Sequence, residues 1–194
     1  MGDANIAHWA FPPPRVHKPE LTPHTAVFLT TDRALALRAG TRIYSAKISP
    51  GANVIDLRQP SAESEQFRLA VVQEKYGRDH FYATKDHWTS AWQQGQMMRF
   101  ASDKPDRLKE TDRIMEAKRA IDWGDRSLQN FELLLLGQNL TREWIEEIVS
   151  VGRDLGYDAI IGREPDSYRS GGAVVCEVLI ALNSQAITTP VLVR

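Results

Sequence analysis

The spacing of hydrophobic residues divides the chain into two strand-rich ends and a helical middle. In the first quarter, β-branched and aromatic runs bounded by Gly, Pro or polar residues lie at residues 25–30, 42–48 and 53–57. Between the first two runs, Thr31-Asp32 offers an N-cap for a helix over residues 33–39, and Gly40 offers a stop. The pattern therefore predicts a strand, a short helix and two further strands.

The middle of the chain, from Ala62 to about Arg153, is rich in helix formers whose apolar residues recur at helical spacing. Within it, Thr141 precedes an apolar helical face and is predicted to be the N-cap of a helix that ends near Gly156. Tryptophans at helical positions are expected to be core anchors, with a partner-binding patch as the alternative. They are Trp88, Trp92, Trp123 and Trp144.

The last quarter of the chain returns to strand patterns. Residues 157–162 are typical of a buried strand, and residues 163–172 of a polar loop. Residues 173–182 form a long apolar run that closes at Asn183-Ser184, and residues 188–193 are a candidate edge strand. Strands at both ends and helices between them predict an α+β fold.

Length and composition favour a single soluble domain. The chain has 194 residues, of which 42% are hydrophobic and 25% charged, and these are ordinary values for a globular protein with one core. We therefore expect one domain over residues 1–194. Its three parts are the N-terminal strands (1–60), the helical region (62–155) and the C-terminal strands (157–194).

Charge and cysteine content bear on the partners and the compartment to expect for this protein. A net charge of -1 gives no electrostatic reason to expect nucleic acid or an anionic membrane as a partner. The single cysteine, Cys176, cannot form an internal disulfide, which favours a reducing compartment. Residues 1–8 lack the basic and apolar pattern of a secretory signal, and no run approaches the ~20 apolar residues of a spanning helix. We therefore expect a cytoplasmic protein, or one secreted without a classical signal peptide.

A weak metal-ligand pattern lies in the helical region. Asp79-His80 and Asp86-His87 repeat at a spacing that would place two histidines on one face of a helix. Gly77 and the aromatic residues Phe81 and Tyr82 leave helix and other forms open for this segment. No metal site is predicted.

Glu177 is a carboxylate inside an otherwise apolar run, Ala173-Val-Val-Cys-Glu-Val-Leu-Ile-Ala-Leu. Because an unpaired carboxylate is costly to bury, Glu177 must face solvent, pair with a cation or line a cleft. Strand alternation places Val175, Leu179 and Ala181 on the same face, and that face is apolar. The alternatives are an outward residue on a strand with one wet face and a carboxylate that does chemistry in a cleft.

Segments from both ends of the chain together resemble one known family. They are Thr25-Ala-Val-Phe-Leu-Thr-Thr-Asp, Ala34-Leu-Ala-Leu-Arg-Ala-Gly, Ile43-Tyr-Ser-Ala-Lys-Ile-Ser-Pro-Gly-Ala-Asn-Val-Ile-Asp, Leu155-Gly-Tyr-Asp-Ala-Ile-Ile-Gly and Cys176-Glu-Val-Leu-Ile-Ala-Leu-Asn-Ser-Gln-Ala-Ile. In pattern and order they resemble the ADP-ribosyltransferase-like proteins. The first two look like that family's second nicotinamide-site strand and its short helix, and the third like the next strand pair. The last looks like the strand that carries the catalytic glutamate, with its close of asparagine and then isoleucine.

The resemblance implies a split β-sandwich that holds NAD, as a substrate, between two small sheets. It makes Glu177 the catalytic carboxylate, because a carboxylate against the ribose stabilises the charge that develops when nicotinamide leaves. By its place and order in the chain, His8 would contact the ribose. Phe28, Thr30 and Thr31 would bind the nicotinamide end of NAD.

The implied activity is cleavage of the nicotinamide–ribose bond and transfer of ADP-ribose to a macromolecule, most simply a protein, or to water. The loop over residues 163–172 would approach this acceptor. Small members of the family without a signal peptide are commonly bacterial toxins or effectors.

Three positions depart from the family pattern: Trp9 replaces a small residue, Arg38-Ala39 stands where a tyrosine is expected, and Val175 replaces a polar or acidic residue. Val175 and the missing tyrosine favour the alternative of a non-catalytic module that binds a protein partner.

Overall fold

The computed structural model describes residues 7–14, 20–39, 42–76, 105–166 and 174–193. Within these ranges it contains four helices and six strands, which confirms the mixed α+β architecture. In chain order they are β1 (Val27–Thr30), α1 (Arg33–Ala39), β2 (Ile43–Ser45), β3 (Val54–Asp56), α2 (Ala62–Tyr76), α3 (Pro105–Asp122), α4 (Leu128–Asp154), β4 (Ala159–Asp166), β5 (Val174–Ala181) and β6 (Val191–Val193). None of the helices in these ranges has the apolar length that crossing a bilayer requires.

The two ends of the chain meet in both β-sheets. The larger sheet has the order β1-β5-β4-β3, in which β5 is antiparallel to both neighbours and β3 is parallel to β4. The smaller sheet pairs β2 with β6, and a bridge between Ile48 and Ile187 adds a further antiparallel contact. Three of these four ladders join a strand that precedes α2 to a strand that follows α4.

One face of the larger sheet packs on α2 and α4 and forms the main hydrophobic core. Ile160 of β4 and Ile180 of β5 are fully buried in one cluster with Ile148 and Val149 of α4 and Phe67 of α2. Each such side chain stabilises the fold by about 1.5–3 kcal/mol relative to an exposed position. The helices therefore fix the sheet from one side and leave its other face for different contacts.

Helix α4 begins at Leu128, well before the predicted N-cap. Its N-cap is Ser127, whose side chain accepts a hydrogen bond from the Asn130 backbone N–H. Thr141 lies inside the helix, where its hydroxyl donates to the Gly137 carbonyl oxygen at 2.9 Å. The prediction that Thr141 is the N-cap is wrong, because Thr141 bonds back onto its own helix, which continues through Gly137 without a break.

Strand β4 is longer than the sequence indicated. It was expected to end at Gly162, with a loop from Arg163 onward, but it continues to Asp166. The reason is pairing: Arg163 lies opposite Glu177, and the antiparallel register with β5 continues to Asp166 and Val174. Polar side chains at this end of the sheet therefore occupy strand positions.

The prediction that Trp123 is a core anchor is wrong, because this residue is 90% exposed. It follows the last residue of α3, in a turn whose next residue, Gly124, has a φ of 101°. Trp88 and Trp92, together with the histidines of the weak metal pattern, lie outside the described residues. The side chain of Trp144 does so as well.

The segment that leads into β1 is tied to α4 through Glu146. This carboxylate accepts hydrogen bonds from the Thr25 hydroxyl at 2.6 Å and from the Thr25 backbone N–H, and it lies 2.9 Å from His24 Nδ1. A carboxylate can only accept, so Nδ1 carries the proton in this contact. Burial alone would raise the pKa of Glu146, but the hydrogen bonds from His24 and Thr25 hold it below its ordinary value of 4.5.

We expect Glu146→Gln to lower the free energy of unfolding at pH 7 by about 1–3 kcal/mol, since it removes hydrogen bonds to a charged group. The folded-state pKa of Glu146 is depressed, so this stabilisation is complete above the ordinary pKa of 4.5. It is lost as the pH falls through the lower folded-state value. Urea unfolding between pH 3 and 7 should therefore show a difference between wild type and variant that shrinks with acidification. Glu143→Gln, at an exposed position of the same helix, is the control, and an equal loss there would contradict the prediction.

Gly152 lets α4 approach the sheet closely. A Cβ at this position would lie 2.9 Å from Leu182 Cδ1 and 3.0 Å from Ile160 Cδ1. We expect Gly152→Val to lower the free energy of unfolding by about 1–3 kcal/mol through overpacking, as measured by urea unfolding. Ser150→Val is the matched control at an exposed position of α4. A loss of the same size in both variants would mean that close packing at Gly152 is not the cause.

Candidate functional site

The second face of the larger sheet, which points away from α4, is apolar and covered at one end. Val27, Ala159 and Ala181 lie side by side in the register of β1, β5 and β4, and all three are buried. They share a cluster with buried Ala186 and Ile187, from the segment between β5 and β6. The smaller sheet and its flanking residues therefore cover this end.

The same face becomes polar and more exposed toward the other end of the sheet. Leu179 is half-buried, and two residues before it on β5 comes Glu177, with Arg163 directly opposite on β4. Asp56, the last residue of β3, shares this face because it is in register with Ile161. The result is a group of charged side chains at the border between a covered and a more exposed surface.

Arg58 joins this group into one ion-pair network. Its Nη1 donates to Glu177 Oε1 at 2.8 Å, while its Nε and Nη2 donate to the two Asp56 oxygens at 2.9 Å and 2.6 Å. The guanidinium is therefore bidentate on Asp56 and monodentate on Glu177. We call Asp56, Arg58 and Glu177 the Arg58 clamp.

Local structure explains why Arg58 lies there. The Leu57 N–H donates to the Ile161 carbonyl oxygen at 2.8 Å, which extends the parallel pairing one residue past β3, and the Leu57 side chain is fully buried. The Arg58 N–H then donates to Asp56 Oδ1 at 3.0 Å, which turns the chain out of the sheet. Ser61 and Ser64, which exchange reciprocal hydrogen bonds, start α2 three residues later.

The electrostatics of the clamp are dominated by Arg58. Its hydrogen bond is the largest cause of a lowered pKa at Asp56; burial opposes this effect, and the charge of Arg163 adds a smaller lowering. The pKa of Arg58 is raised in turn, first by Asp56 and then by Glu177. Both carboxylates are therefore held beside a permanent cation.

Glu177 combines two of the three outcomes that the sequence left open. It pairs with a cation, Arg58, and its side chain remains 43% exposed. Its neighbours on the sheet face are those that alternation predicted, with half-buried Leu179 and buried Ala181 on one side and exposed Val175 on the other. A carboxylate in this position can accept hydrogen bonds from hydroxyl groups of a ligand and can stabilise a positive charge.

The structure does not bring Phe28 together with the Glu177 carboxylate. Phe28 packs against the helix-side core, and its ring lies 4.7 Å from that of His24, so it is on the opposite face of the sheet. Leu29 is the β1 residue on the Glu177 side. The assignment of Phe28 to a nicotinamide pocket stays a prediction that this geometry does not support.

Thr30 and Thr31 lie at the end of β1 beside the same stretch of β5. The Thr30 hydroxyl donates to the Glu177 backbone carbonyl oxygen at 2.7 Å and accepts from the Asp32 N–H at 3.1 Å. Thr30 therefore holds the backbone of Glu177, whereas Thr31 is exposed. Contact of either residue with a ligand stays a prediction.

His8 is exposed next to an anchored tryptophan. The Trp9 indole N–H donates to the Thr188 carbonyl oxygen at 2.8 Å, and its ring packs against the apolar cluster that contains Val27 and Ile187. The N-terminal segment therefore lies against the covered end of the Glu177 face. The ribose-binding role of His8 stays a prediction.

Sequence reasoning missed the rest of the clamp. Asp56-Leu-Arg58 at the end of a short strand carried a readable signal, because two opposite charges flank one buried leucine at the edge of a sheet. Arg163 was predicted to lie in a loop, whereas it belongs to β4. The pairing of Arg58 with Glu177, and the place of Arg163 opposite Glu177, depend on the register of β3, β4 and β5, which no local pattern specifies.

Comparisons of the chain with protein-family models, with curated proteins and with solved structures give no match in any of the three. The resemblance to ADP-ribosyltransferase-like proteins therefore depends on the segments quoted above. The architecture depends on the strands and helices described here.

We expect Arg58→Ala to raise the pKa of Asp56 toward its ordinary value, because the Arg58 hydrogen bond is the largest cause of its lowering. The measurement is a pH titration of the side-chain carboxyl carbon shifts by NMR. Arg68→Ala is the matched control: Arg68 pairs with Glu65 on α2 and is the main cause of the lowered pKa of that carboxylate. Each variant should raise the pKa of its own partner carboxylate and leave the pKa of the other carboxylate unchanged. An unchanged pKa of Asp56 in Arg58→Ala would show that the ion pair does not persist in solution.

Proposed function

We propose that this protein binds NAD against the Glu177 face of the larger sheet and cleaves its nicotinamide–ribose bond. ADP-ribose then passes to a macromolecule, most simply a protein, or to water. The observation that carries the proposal is the placement of Glu177. It is a half-exposed carboxylate, fixed on a central strand at the border between a covered apolar surface and a polar one. The resemblance of the flanking segments to ADP-ribosyltransferase-like proteins supplies the substrate.

The chemistry would use Glu177 as an electrostatic group. As the bond between the ribose C1′ and the pyridinium nitrogen breaks, nicotinamide leaves with the electron pair and positive charge develops on the ribose. Glu177 would stabilise that charge and accept a hydrogen bond from a ribose hydroxyl. The acceptor nucleophile then bonds to C1′ and loses its proton to solvent. In a split sandwich of this family, the smaller sheet would close the other side of the site.

A second candidate is a non-catalytic module of the same fold that binds a protein partner. Two observations favour it. Arg58 already occupies one oxygen of Glu177, and the predicted aromatic partner for nicotinamide, Phe28, lies on the other face of the sheet. A protein of this kind would present the charged face to a partner and leave NAD intact.

The decisive measurement is nicotinamide release from NAD by wild type and by Glu177→Gln, with and without a cell lysate as the source of acceptor. We expect Glu177→Gln to lower release by about 10²–10³-fold, the size of effect produced by removing one group that stabilises transition-state charge. Glu132→Gln, at an exposed position of α4, is the matched control and should retain full activity. Release that requires lysate would indicate a transferase, and release without lysate a glycohydrolase. Equal activity of Glu177→Gln and wild type would overturn the assignment of Glu177.

Thermal unfolding separates the two candidates. NAD at about 100 times its dissociation constant adds about 2.7 kcal/mol of stability, so an NAD-binding protein should melt at a measurably higher temperature. A folded sample that shows neither a shift in millimolar NAD nor nicotinamide release would favour the binding module.

A further inference from the structure

We propose that Arg58 is the positioning residue of the site: it sets the direction of the Glu177 carboxylate and is itself held in place by Asp56. This inference rests on the proposed function, because the effect of Arg58 would be measured in the rate of nicotinamide release. It assigns a role to the end of β3, a part of the chain that the family resemblance leaves without one.

Arg58 carries the contact from β3 across to β5. β3 and β5 are not neighbours, because β4 lies between them. Adjacent strands are about 4.8 Å apart, so the two backbones are separated by about twice that distance. Arginine and glutamate are long enough to meet across β4, and the Arg58 Nη1 to Glu177 Oε1 distance of 2.8 Å shows that they do. The contact therefore fixes Glu177 relative to a strand that does not pair with β5.

The guanidinium of Arg58 is oriented by its hydrogen bonds to Asp56. Asp56 takes the Nε and Nη2 donors, which fixes the plane of the group and leaves its Nη1 edge for Glu177. A lysine at this position could not hold Asp56 and Glu177 in the same way, because it carries its charge at a single point and lacks the planar set of donors. Asp56 therefore orients Arg58, and Arg58 orients Glu177.

The contact with Arg58 engages one of the two carboxylate oxygens of Glu177. Only Oε1 is engaged by Arg58, and among the described residues no protein group donates a hydrogen bond to Oε2. On the main-chain side, Thr30 holds the Glu177 carbonyl oxygen at 2.7 Å. The backbone and one carboxylate oxygen are thus fixed, and the second oxygen is left to accept a bond from a ribose hydroxyl.

The contact is suited to orientation more than to stability. The side chains of Asp56 and Glu177 are each 43% exposed, and that of Arg58 is 31% exposed. Ion pairs between partly solvated groups contribute little to folding. Loss of Arg58 should therefore leave the fold in place and change what Glu177 does.

The test compares the steady-state kinetics of nicotinamide release for wild type, Arg58→Ala, Arg58→Lys and Asp56→Asn. We expect kcat to fall by about 10–100-fold in both Arg58 variants, because a misplaced catalytic group costs about that much. The KM for NAD should change by less than a factor of about three, since ground-state binding does not depend on the orientation of Glu177. Asp56→Asn should lower kcat by a smaller factor. Arg68→Ala, which breaks an ion pair of α2 remote from this face, should change neither constant.

A double variant identifies the route of the effect. If Arg58 acts only through Glu177, then Glu177→Gln with Arg58→Ala should be no slower than Glu177→Gln alone. Additive losses, a rise in KM without a fall in kcat, or faster turnover in Arg58→Ala would each overturn the positioning role; the last would make Arg58 a lock. An active wild type with a fully active Arg58→Ala refutes this inference alone. An inactive wild type refutes the proposed function and this inference with it.

Discussion

The insertion of β5 between β1 and β4 is the constraint on which the other features depend. β5 has hydrogen-bonded neighbours on both edges, one from the start of the chain and one from just after α4. The two ends of the chain must therefore be brought together for the sheet to close, and this costs the chain conformational entropy. Burial of Ile180 and its neighbours against α4 offsets that loss. Once β5 is in place, the position of Glu177 follows.

The two faces of this sheet divide the tasks of stability and chemistry. The face toward α4 carries the main hydrophobic cluster, and Gly152 lets the helix approach it closely. Among the described residues, the cover on the opposite face lies at the end near Ala181. Because alternation along a strand is strict, Glu177 can carry a charge without placing it in the helix-side core. A strand that is apolar except for Glu177 therefore supports a charged site.

The Arg58 clamp also bears on the choice between an enzyme and a binding module. An arginine beside a candidate catalytic carboxylate can fix its orientation or occupy it. The bidentate contact with Asp56 favours fixation, because it leaves only one donor edge for Glu177 and one carboxylate oxygen for a ligand. The same arginine thus supports the enzyme hypothesis in one role and the binding hypothesis in the other, and kinetics distinguish them.

The sequence by itself determined the α+β class, the order of strand-rich ends around helices, and the face of β5 on which Glu177 lies, because residue spacing encodes periods of 2 and 3.6. It did not determine where α4 begins, since Thr141 has the composition of a cap and only the finished helix uses its hydroxyl internally. Nor did it pair Glu177 with Arg58, or separate Phe28 from Glu177. Those relations depend on strand order and register, which are set by contacts between residues far apart in the chain. Only the tertiary structure decides them.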